Sequence, residues 1–256
     1  MSCATSPADG RWHAALFGPM IACRFKAPCR PGALRRAVIL RAALTFRHIA
    51  IEGPIGVGKS SLAEHLAQRL DATIVLEEQD NPFLADFYAD RPGAALQSQL
   101  FYLLSRHRQQ TTLRQSDLFN QVTVCDYLFD RDKIYAFLNL DDNELFIYQR
   151  LFDLLAREVA PPDLVIYLQA PTEILLKRLR DARPPDDEQE RYVPDAAYLQ
   201  ELNEAYHHFF FHYMASPLLV VETSGFGKRP MDDIVDDLLR QVEGMTGGTR
   251  YYVPRA

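Results

Sequence analysis

The segment HIAIEGPIGVGKSS, residues 48–61, decides the fold class of this chain. Residues 48–52 are mostly aliphatic with little alternation, which is typical of a strand buried on both faces of a parallel sheet. A glycine-rich turn follows, and a helical pattern begins at Lys59. This order of strand, loop and helix fits the pattern G-x-x-x-x-G-K-[ST] and predicts a loop that binds phosphate groups.

The residue types of this loop suit that chemistry. Glycines let backbone N–H groups converge on a polyphosphate, and the following helix offers its positive N-terminal end. We expect Lys59 to reach the β- and γ-phosphates and Ser60 to bind magnesium. The predicted cofactor-binding residues here are Gly53, Pro54, Ile55, Gly56, Val57, Gly58, Lys59, Ser60 and Ser61. The expected cofactors are ATP, with GTP as an open alternative, and Mg²⁺.

The body of the chain alternates short apolar runs with helical stretches, which predicts an α/β fold with helices on both faces of a parallel sheet. The predicted strands are 48–52, 73–76, 122–125, 164–168 and 218–221. The predicted helices are 59–70, 94–114, 142–159, 172–180, 196–213 and 231–242. Residues 183–194 are too polar and proline-rich for a core element and are expected to form a mobile loop. We therefore predict a three-layer α/β/α fold of the P-loop kinase type, with a five-stranded sheet and a helical lid.

Composition excludes several classes of protein. The chain has 256 residues, of which 48% are hydrophobic, so it can fill a core. Its formal charge of -6 does not favour nucleic acid as a partner. Its four cysteines show neither a disulfide framework nor a zinc spacing. Because no apolar run approaches the roughly 20 residues that span a bilayer, we expect no membrane segment and a cytoplasmic location.

Charge is distributed unevenly along the chain. Residues 1–47 contain seven Arg and one Lys against one Asp, a charge of +7, which leaves -13 for residues 48–256. We interpret residues 1–47 as a basic extension without ordered structure, or as the product of a start codon placed too early. A targeting peptide and a partner-binding arm are the alternatives. Residues 48–245 then form the catalytic domain, and residues 246–256 form a C-terminal tail.

The second predicted strand ends in Glu77-Glu78. We expect this strand to lie beside the first one, so that a carboxylate points at the γ-phosphate from the acceptor side. A hydroxyl is a poor nucleophile until its proton is accepted, whereas a phosphate acceptor is already anionic; a general base is worth roughly 10² to 10⁴ in rate. An alcohol is therefore the favoured acceptor.

Three further features surround this predicted site. The third strand ends at Asp126, whose carboxylate can help to hold magnesium opposite Ser60. Gln99 and Arg106 lie seven residues apart on one face of a helix, where an amide and a guanidinium can line the same pocket. Basic residues on and after the helix 172–180 can approach the transferred phosphoryl group, and they are Lys177, Arg178, Arg180 and Arg183.

These residues resemble the deoxynucleoside kinases, most closely the bacterial deoxyadenosine/deoxyguanosine kinase branch. The likeness runs from residue 48 to about residue 223. It is carried by IEGPIGVGKSS at 51–61, LEEQDNPFLADFYAD at 76–90, LQSQLFYLLSRHRQQ at 96–110, VCDYLFDRDKIYA at 124–136, DLVIYLQAPTEILLKRLR at 163–180 and YLQELNEAYHHFF at 198–210. The resemblance also implies a homodimer.

The resemblance assigns roles to single positions. The general base falls on Glu77, with Glu78 as the alternative because the usual following proline is missing. The sugar-anchoring tyrosine falls on Tyr88, the base-reading glutamine on Gln99, and the pocket arginine on Arg106.

The remaining assignments lie further along the chain. Glu190 resembles the second sugar-anchoring carboxylate, and Asp132, with Asp130 as its rival, resembles the acid beside the base. The lid arginines match Arg178 and Arg183, and Arg180 shares their role. Many relatives carry an arginine that touches phosphate or the 5′-oxygen where this chain has Tyr127, so another residue must fill that role, for which Arg106 is the candidate.

Together these patterns predict an ATP-dependent kinase that phosphorylates the 5′-hydroxyl of a deoxynucleoside, most consistent with a purine one, in nucleotide salvage. Lys59, Arg178 and Arg183 would stabilise charge during the transfer. The rival interpretations are a nucleoside monophosphate kinase similar to thymidylate kinase, and a P-loop regulatory ATPase that is not a kinase.

Overall fold

The computed structural model describes residues 46–78, 80–116, 122–182 and 194–254. Six strands form one sheet in the order β2-β3-β1-β4-β5-β6, and every neighbouring pair is parallel. The strands are β1 (His48–Glu52), β2 (Thr73–Val75), β3 (Thr123–Cys125), β4 (Leu164–Gln169), β5 (Leu218–Glu222) and β6 (Thr249–Tyr252). Strands β1, β4 and β5 consist mainly of buried aliphatic residues, as expected for a sheet covered on both faces.

Eight α-helices connect these strands within the described residues. They are α1 (Lys59–Leu70), α2 (Leu84–Tyr88), α3 (Ala94–Ser116), α4 (Asp132–Asn139), α5 (Asp142–Ala156), α6 (Thr172–Asp181), α7 (Ala196–Phe211) and α8 (Met231–Val242). A 3₁₀ helix, Phe129–Arg131, leads into α4. Helix α1 packs against α8, and Arg69 of α1 forms an ion pair of 2.6 Å with Asp236 of α8.

The core has two parts. The larger cluster joins the sheet to α1, α7 and α8, and residues such as Ile51, Leu66 and Leu238 are almost fully buried in it. The smaller cluster joins α3, α4 and α5 through Leu103 and Phe152. The helices that border the predicted substrate pocket therefore have a hydrophobic core of their own.

Two expectations about the sheet are corrected. It has six strands rather than five, because residues 249–252, in the predicted tail, pair with β5. This strand, TRYY, alternates exposed and half-buried residues at the sheet edge, so it lacks the continuous apolar run by which the others were predicted. In addition, β2 lies beside β3 and not beside β1. Sequence order does not determine which strands become neighbours.

The α-helical expectations need two additions. Helices α2 and α4 were not predicted, because five and eight residues are too few to show a clear helical period.

Most of the predicted mobile loop, residues 183–193, lies outside the described residues, as do residues 1–45. Across the part of the chain that the structure does describe, no helix combines the length and apolar character needed to cross a membrane.

The strand order brings three chain segments to one edge of the sheet. The carboxyl ends of parallel neighbours β1, β3 and β2 point the same way, so the residues that follow them meet there. These are the glycine-rich loop after Glu52, Asp126 after β3, and Glu77 after β2. The candidate site is located at this edge.

Candidate active site

The glycine-rich loop between β1 and α1 has room for no side chain at Gly53. A Cβ there would lie 2.4 Å from the carbonyl oxygen of Leu168 on β4, and the φ of Gly53 is 155°. At Gly56, with φ of 81°, a Cβ would lie 3.0 Å from Leu179 of α6. These glycines therefore let the loop pack tightly on β4 and α6 while it adopts a backbone that other residues avoid.

Lys59 is the first residue of α1 and turns back over the loop. Its Nζ donates hydrogen bonds to the carbonyl oxygens of Gly53, at 2.7 Å, and of Pro54, at 3.3 Å. Burial, and then Arg131, lower the pKa of Lys59, whereas nearby acids, Glu77 among them, raise it. The ammonium group is thus placed between the phosphate-binding loop and the carboxylate at position 77.

Ser60 and Asp126 are in direct contact, as expected for residues that share a cation. The Ser60 hydroxyl donates to Oδ2 of Asp126 at 2.6 Å, and Oδ1 accepts from the backbone N–H of Glu77 at 2.7 Å. A hydroxyl and a carboxylate are the oxygen ligands that Mg²⁺ prefers, and phosphates and waters usually complete its shell. The two side chains would suit a Mg²⁺ ion, whose charge would offset that of a bound triphosphate.

A cavity of about 490 Å³ opens beside this edge of the sheet. Five residues predicted to bind substrate line it, and they are Glu77, Tyr88, Gln99, Arg106 and Asp132. Gln99, Arg106 and Asp132 are almost fully buried, whereas Tyr88 of α2 is 41% exposed at the rim. The structure therefore brings together side chains that the sequence spreads over 56 positions.

Arg106 of α3 joins two of the predicted acids. Its Nη1 donates to Oδ1 of Asp132, and its Nη2 donates to Oε1 of Glu77. The rival acid, Asp130, instead forms an ion pair of 2.7 Å with Lys133, and its side chain is 37% exposed. Asp132 is thus the acid that faces the cavity beside Arg106.

Glu77 is held by a second arginine, Arg131, whose Nη1 lies 3.0 Å from Oε2 of Glu77. Burial alone would raise the pKa of Glu77, but Arg106 and Arg131, helped by Lys59, lower it to about 2. Glu77 is therefore ionised at any physiological pH. Glu78 also lines the cavity, but both arginines pair with Glu77.

Sequence reasoning did not select Arg131. The signal was present in the run Asp130-Arg131-Asp132-Lys133, four consecutive charged residues between apolar residues that are mostly buried. Tyr127 is 1% exposed, and its hydroxyl accepts a hydrogen bond of 3.1 Å from Gln110. Its ring lies 5.8 Å below the guanidinium of Arg106. Tyr127 thus packs behind the pocket.

The predicted lid residues are only partly described. Arg178 of α6 donates to the carbonyl oxygen and, at 3.0 Å, to the hydroxyl of Thr223, which follows β5. It also donates to the carbonyl oxygen of Val57 at 3.3 Å. Arg178 thus links α6 to the outer side of the phosphate-binding loop. Arg180 is exposed, while Arg183 and Glu190 lie outside the described residues, so their roles stay predictions.

Comparisons with known proteins identify chains that are similar to this one. A family model described as deoxynucleoside kinase matches residues 49–243. A deoxyguanosine kinase of Bacillus subtilis is 32% identical over 166 residues, which cover 63% of this chain and 77% of that protein. A deoxyadenosine kinase of Dictyostelium discoideum is 36% identical over 177 residues, 67% of this chain and 69% of that protein. The structure of deoxyadenosine kinase from M. mycoides with bound dATP matches with a TM-score of 0.62 at 21% identity, over 76% of this chain and 98% of that one, which supports the fold alone.

Proposed function

Because this chain belongs to the deoxynucleoside kinase family and is a phosphotransferase with an alcohol group as acceptor, we propose that it transfers the γ-phosphoryl group of ATP to the 5′-hydroxyl of a purine deoxynucleoside. The reaction serves nucleotide salvage. The bond between the γ-phosphorus and the β-phosphate oxygen breaks, a bond from the γ-phosphorus to the 5′-oxygen forms, and the 5′-hydroxyl proton passes to Glu77. ADP and a deoxynucleoside monophosphate are the products.

The observation that carries this proposal is the ionised Glu77 between two arginines, in a cavity beside the phosphate-binding loop. A carboxylate with a pKa of about 2 is a weak base. It is nevertheless sufficient, since the proton of an alcohol becomes strongly acidic as its oxygen bonds to phosphorus. Positioning and charge stabilisation supply most of the remaining catalysis in such transfers.

The donor half of the site holds the triphosphate. Backbone N–H groups of residues 53–61 and the ammonium of Lys59 bind the phosphates, and Ser60 with Asp126 holds Mg²⁺, which offsets phosphate charge when bound. Arg178, Arg180 and Arg183 supply further positive charge on the side of α6. The contact of Arg178 with Val57 supports this placement.

The acceptor half binds the deoxynucleoside. Gln99 reads the base edge, since a buried amide offers both a donor and an acceptor, and Asp132 with Arg106 lies beside it. Tyr88 and Glu190 hold the 3′-hydroxyl. The names of the relatives, which are deoxyguanosine and deoxyadenosine kinases, support a purine substrate for this chain.

We further propose that the enzyme works as a homodimer in the cytoplasm. Helices α3 and α5 expose large apolar side chains, among them Leu104, Ile147 and Leu154, each about half exposed. A second copy that covered this apolar surface would remove it from water. Cys125, the cysteine that the described residues contain, is a free, buried thiol, which suits a reducing compartment.

One set of assays tests the reaction and its acceptor. The purified chain is incubated with ATP, Mg²⁺ and each of the four deoxynucleosides, with dTMP as a further acceptor, and products are separated by chromatography. We expect 5′-monophosphates of deoxyadenosine and deoxyguanosine in the largest yield. Phosphorylation of dTMP alone would favour a monophosphate kinase, and ATP hydrolysis without any phosphorylated acceptor would favour a regulatory ATPase.

The same assay identifies the base. Glu77→Gln removes the proton acceptor, so we expect kcat to fall by about 10² to 10⁴. Glu78→Gln is the matched control, with a change of less than about threefold in kcat because the two arginines contact Glu77. The reverse ranking of the two variants would move the base to Glu78.

A further inference from the structure

Arg131 occupies a position that connects two buried acids. It ends the 3₁₀ helix, and its side chain is 9% exposed in the wall of the cavity. Its Nη1 lies 3.0 Å from Oε2 of Glu77 and 3.8 Å from Oε1 of Glu52. The guanidinium packs over the ring of Tyr135, 5.1 Å from its centroid. The guanidinium of Arg131 therefore lies between the carboxylate of Glu52, which ends β1, and that of Glu77, which follows β2.

Glu52 gives Arg131 a fixed anchor. This residue ends β1, is 0% exposed and accepts three hydrogen bonds. The donors are the backbone N–H groups of Gly53, at 2.8 Å, and Leu128, at 2.7 Å, and the hydroxyl of Tyr206, at 3.1 Å. Because its partners belong to the strand end, the 3₁₀ segment and α7, the Glu52 carboxylate cannot rotate freely. A cation beside it is held in a defined place.

The two oxygens of Glu77 are contacted from different elements. Arg106 of α3 pairs with Oε1, and Arg131 pairs with Oε2. Arg106 donates a hydrogen bond to one oxygen, and the charge of Arg131 beside the other oxygen opposes rotation of the carboxylate about its terminal bond. Each carboxylate oxygen has two lone pairs, so an acceptor position remains for the proton of a hydroxyl group.

We propose that Arg131 is a positioning residue for the phosphoryl transfer, which holds the carboxylate of Glu77 in the orientation that accepts the 5′-hydroxyl proton. The proposal rests on the proposed function, because it acts through the base that this function requires. Arg106 remains the partner that links the base to the substrate pocket.

A double-mutant cycle tests this role. The variants are Arg131→Gln, Arg131→Lys, Glu77→Gln and the double variant Arg131→Gln with Glu77→Gln; Arg108→Gln is the control, since Arg108 is an exposed arginine on α3. For each protein, kcat and the KM values for ATP and deoxyadenosine are measured, with far-UV circular dichroism to confirm folding. If Arg131→Gln does not fold, the cycle is run with Arg131→Lys.

We expect Arg131→Gln to lower kcat by about 10- to 100-fold, less than the roughly 10²- to 10⁴-fold that a general base contributes because Glu77 itself remains, and to change either KM by less than about threefold. Arg131→Lys should recover part of kcat, because an ammonium restores the charge but not the planar contact. If Arg131 acts through Glu77, the kcat of the double variant should be no more than about threefold lower than the kcat of Glu77→Gln alone.

The split between a lowered kcat and an almost unchanged KM, together with partial recovery in Arg131→Lys, is the readout that a purely structural arginine would not give.

The outcomes separate the two proposals. If the wild-type chain phosphorylates no deoxynucleoside, the proposed function fails. If the wild type is active but the losses of Arg131→Gln and Glu77→Gln multiply in the double variant, Arg131 does not act through Glu77 and the inference is overturned. An unchanged kcat in Arg131→Gln overturns it as well.

Discussion

At the scale of single residues, the site is a small network of buried opposite charges. Arg106 and Arg131 pair with Glu77, Asp132 and Glu52, and all of these except Glu77, whose side chain is 20% exposed, are almost fully buried. Buried ions are stable only when they are paired, so removing one member leaves another charge uncompensated. Each side chain of this network therefore contributes both to folding and to the chemistry.

Asp132 should determine which base is accepted. Its Oδ1 pairs with Arg106, while its Oδ2 has no hydrogen-bond partner within the described residues. We expect Asp132→Asn to change the ratio of kcat/KM between deoxyadenosine and deoxyguanosine by at least about tenfold, which corresponds to one hydrogen bond to a charged group. The KM for ATP should change little. Competition assays with both nucleosides measure this ratio.

Asp130→Asn is the matched control for that change. Asp130 pairs with Lys133 at the surface, so this variant should keep the wild-type preference. A shift of preference in Asp130→Asn, with none in Asp132→Asn, would assign the base-side acid to position 130 instead.

At the scale of elements, α6 and the loop after β5 hold the phosphate-binding loop from its outer side. Arg178 of α6 bonds to Thr223 and to Val57, and Leu179 packs against Gly56. The shape of the loop therefore depends on contacts with a helix more than 100 residues away in sequence. We therefore expect the contact between α6 and the phosphate-binding loop to affect the binding of ATP.

Arg178→Gln should weaken ATP binding more than acceptor binding. Loss of the contacts to Val57 and Thr223 loosens the loop, so we expect the KM for ATP to rise by about five- to tenfold, the effect of one lost charged hydrogen bond. The KM for deoxyadenosine should stay within about twofold. Glu173→Gln, at an exposed position on the same helix, is the control. An equal rise of both KM values would show that Arg178 does not act on the donor half.

At the scale of the whole molecule, one sheet positions both the donor half and the acceptor half of the site. An exposed apolar surface lies outside this site. Helices α3 and α5 share the smaller core cluster and expose Leu104, Ile147 and Leu154 on their outer sides. This surface is where we expect a second copy to bind.

Ile147→Lys combined with Leu154→Lys should therefore yield monomers. Two buried charges in an apolar interface are costly, so at micromolar concentration we expect the mass measured by light scattering to halve. Phe211→Lys is the control, since Phe211 of α7 is an exposed apolar residue away from these helices. A dimer that persists in the double variant, or is lost in the control, would contradict this interface.

Some helices and strands agree with the bounds predicted from the sequence, and others were missed. Helix α1 and strand β1 agree with their predicted bounds, because the aliphatic run, the glycines and the 3.6-residue period indicate the same boundaries. Helix α5 ends at Ala156 rather than at residue 159, which is within the usual uncertainty of helix ends. Strand β6 and helices α2 and α4 were missed because short or half-exposed elements carry weak periodicity.

The sequence alone determined the phosphate-binding loop, the parallel α/β class and the candidate residues Glu77, Gln99 and Arg106, because these depend on local patterns and on motif spacing. Only the tertiary structure decided that β3 separates β1 from β2, that Asp132 rather than Asp130 faces the cavity, and that Arg131 pairs with Glu77. The physical reason is that strand neighbours and ion pairs are set by long-range packing. Charges far apart in the chain acquire a common role when the core brings them into the same buried space.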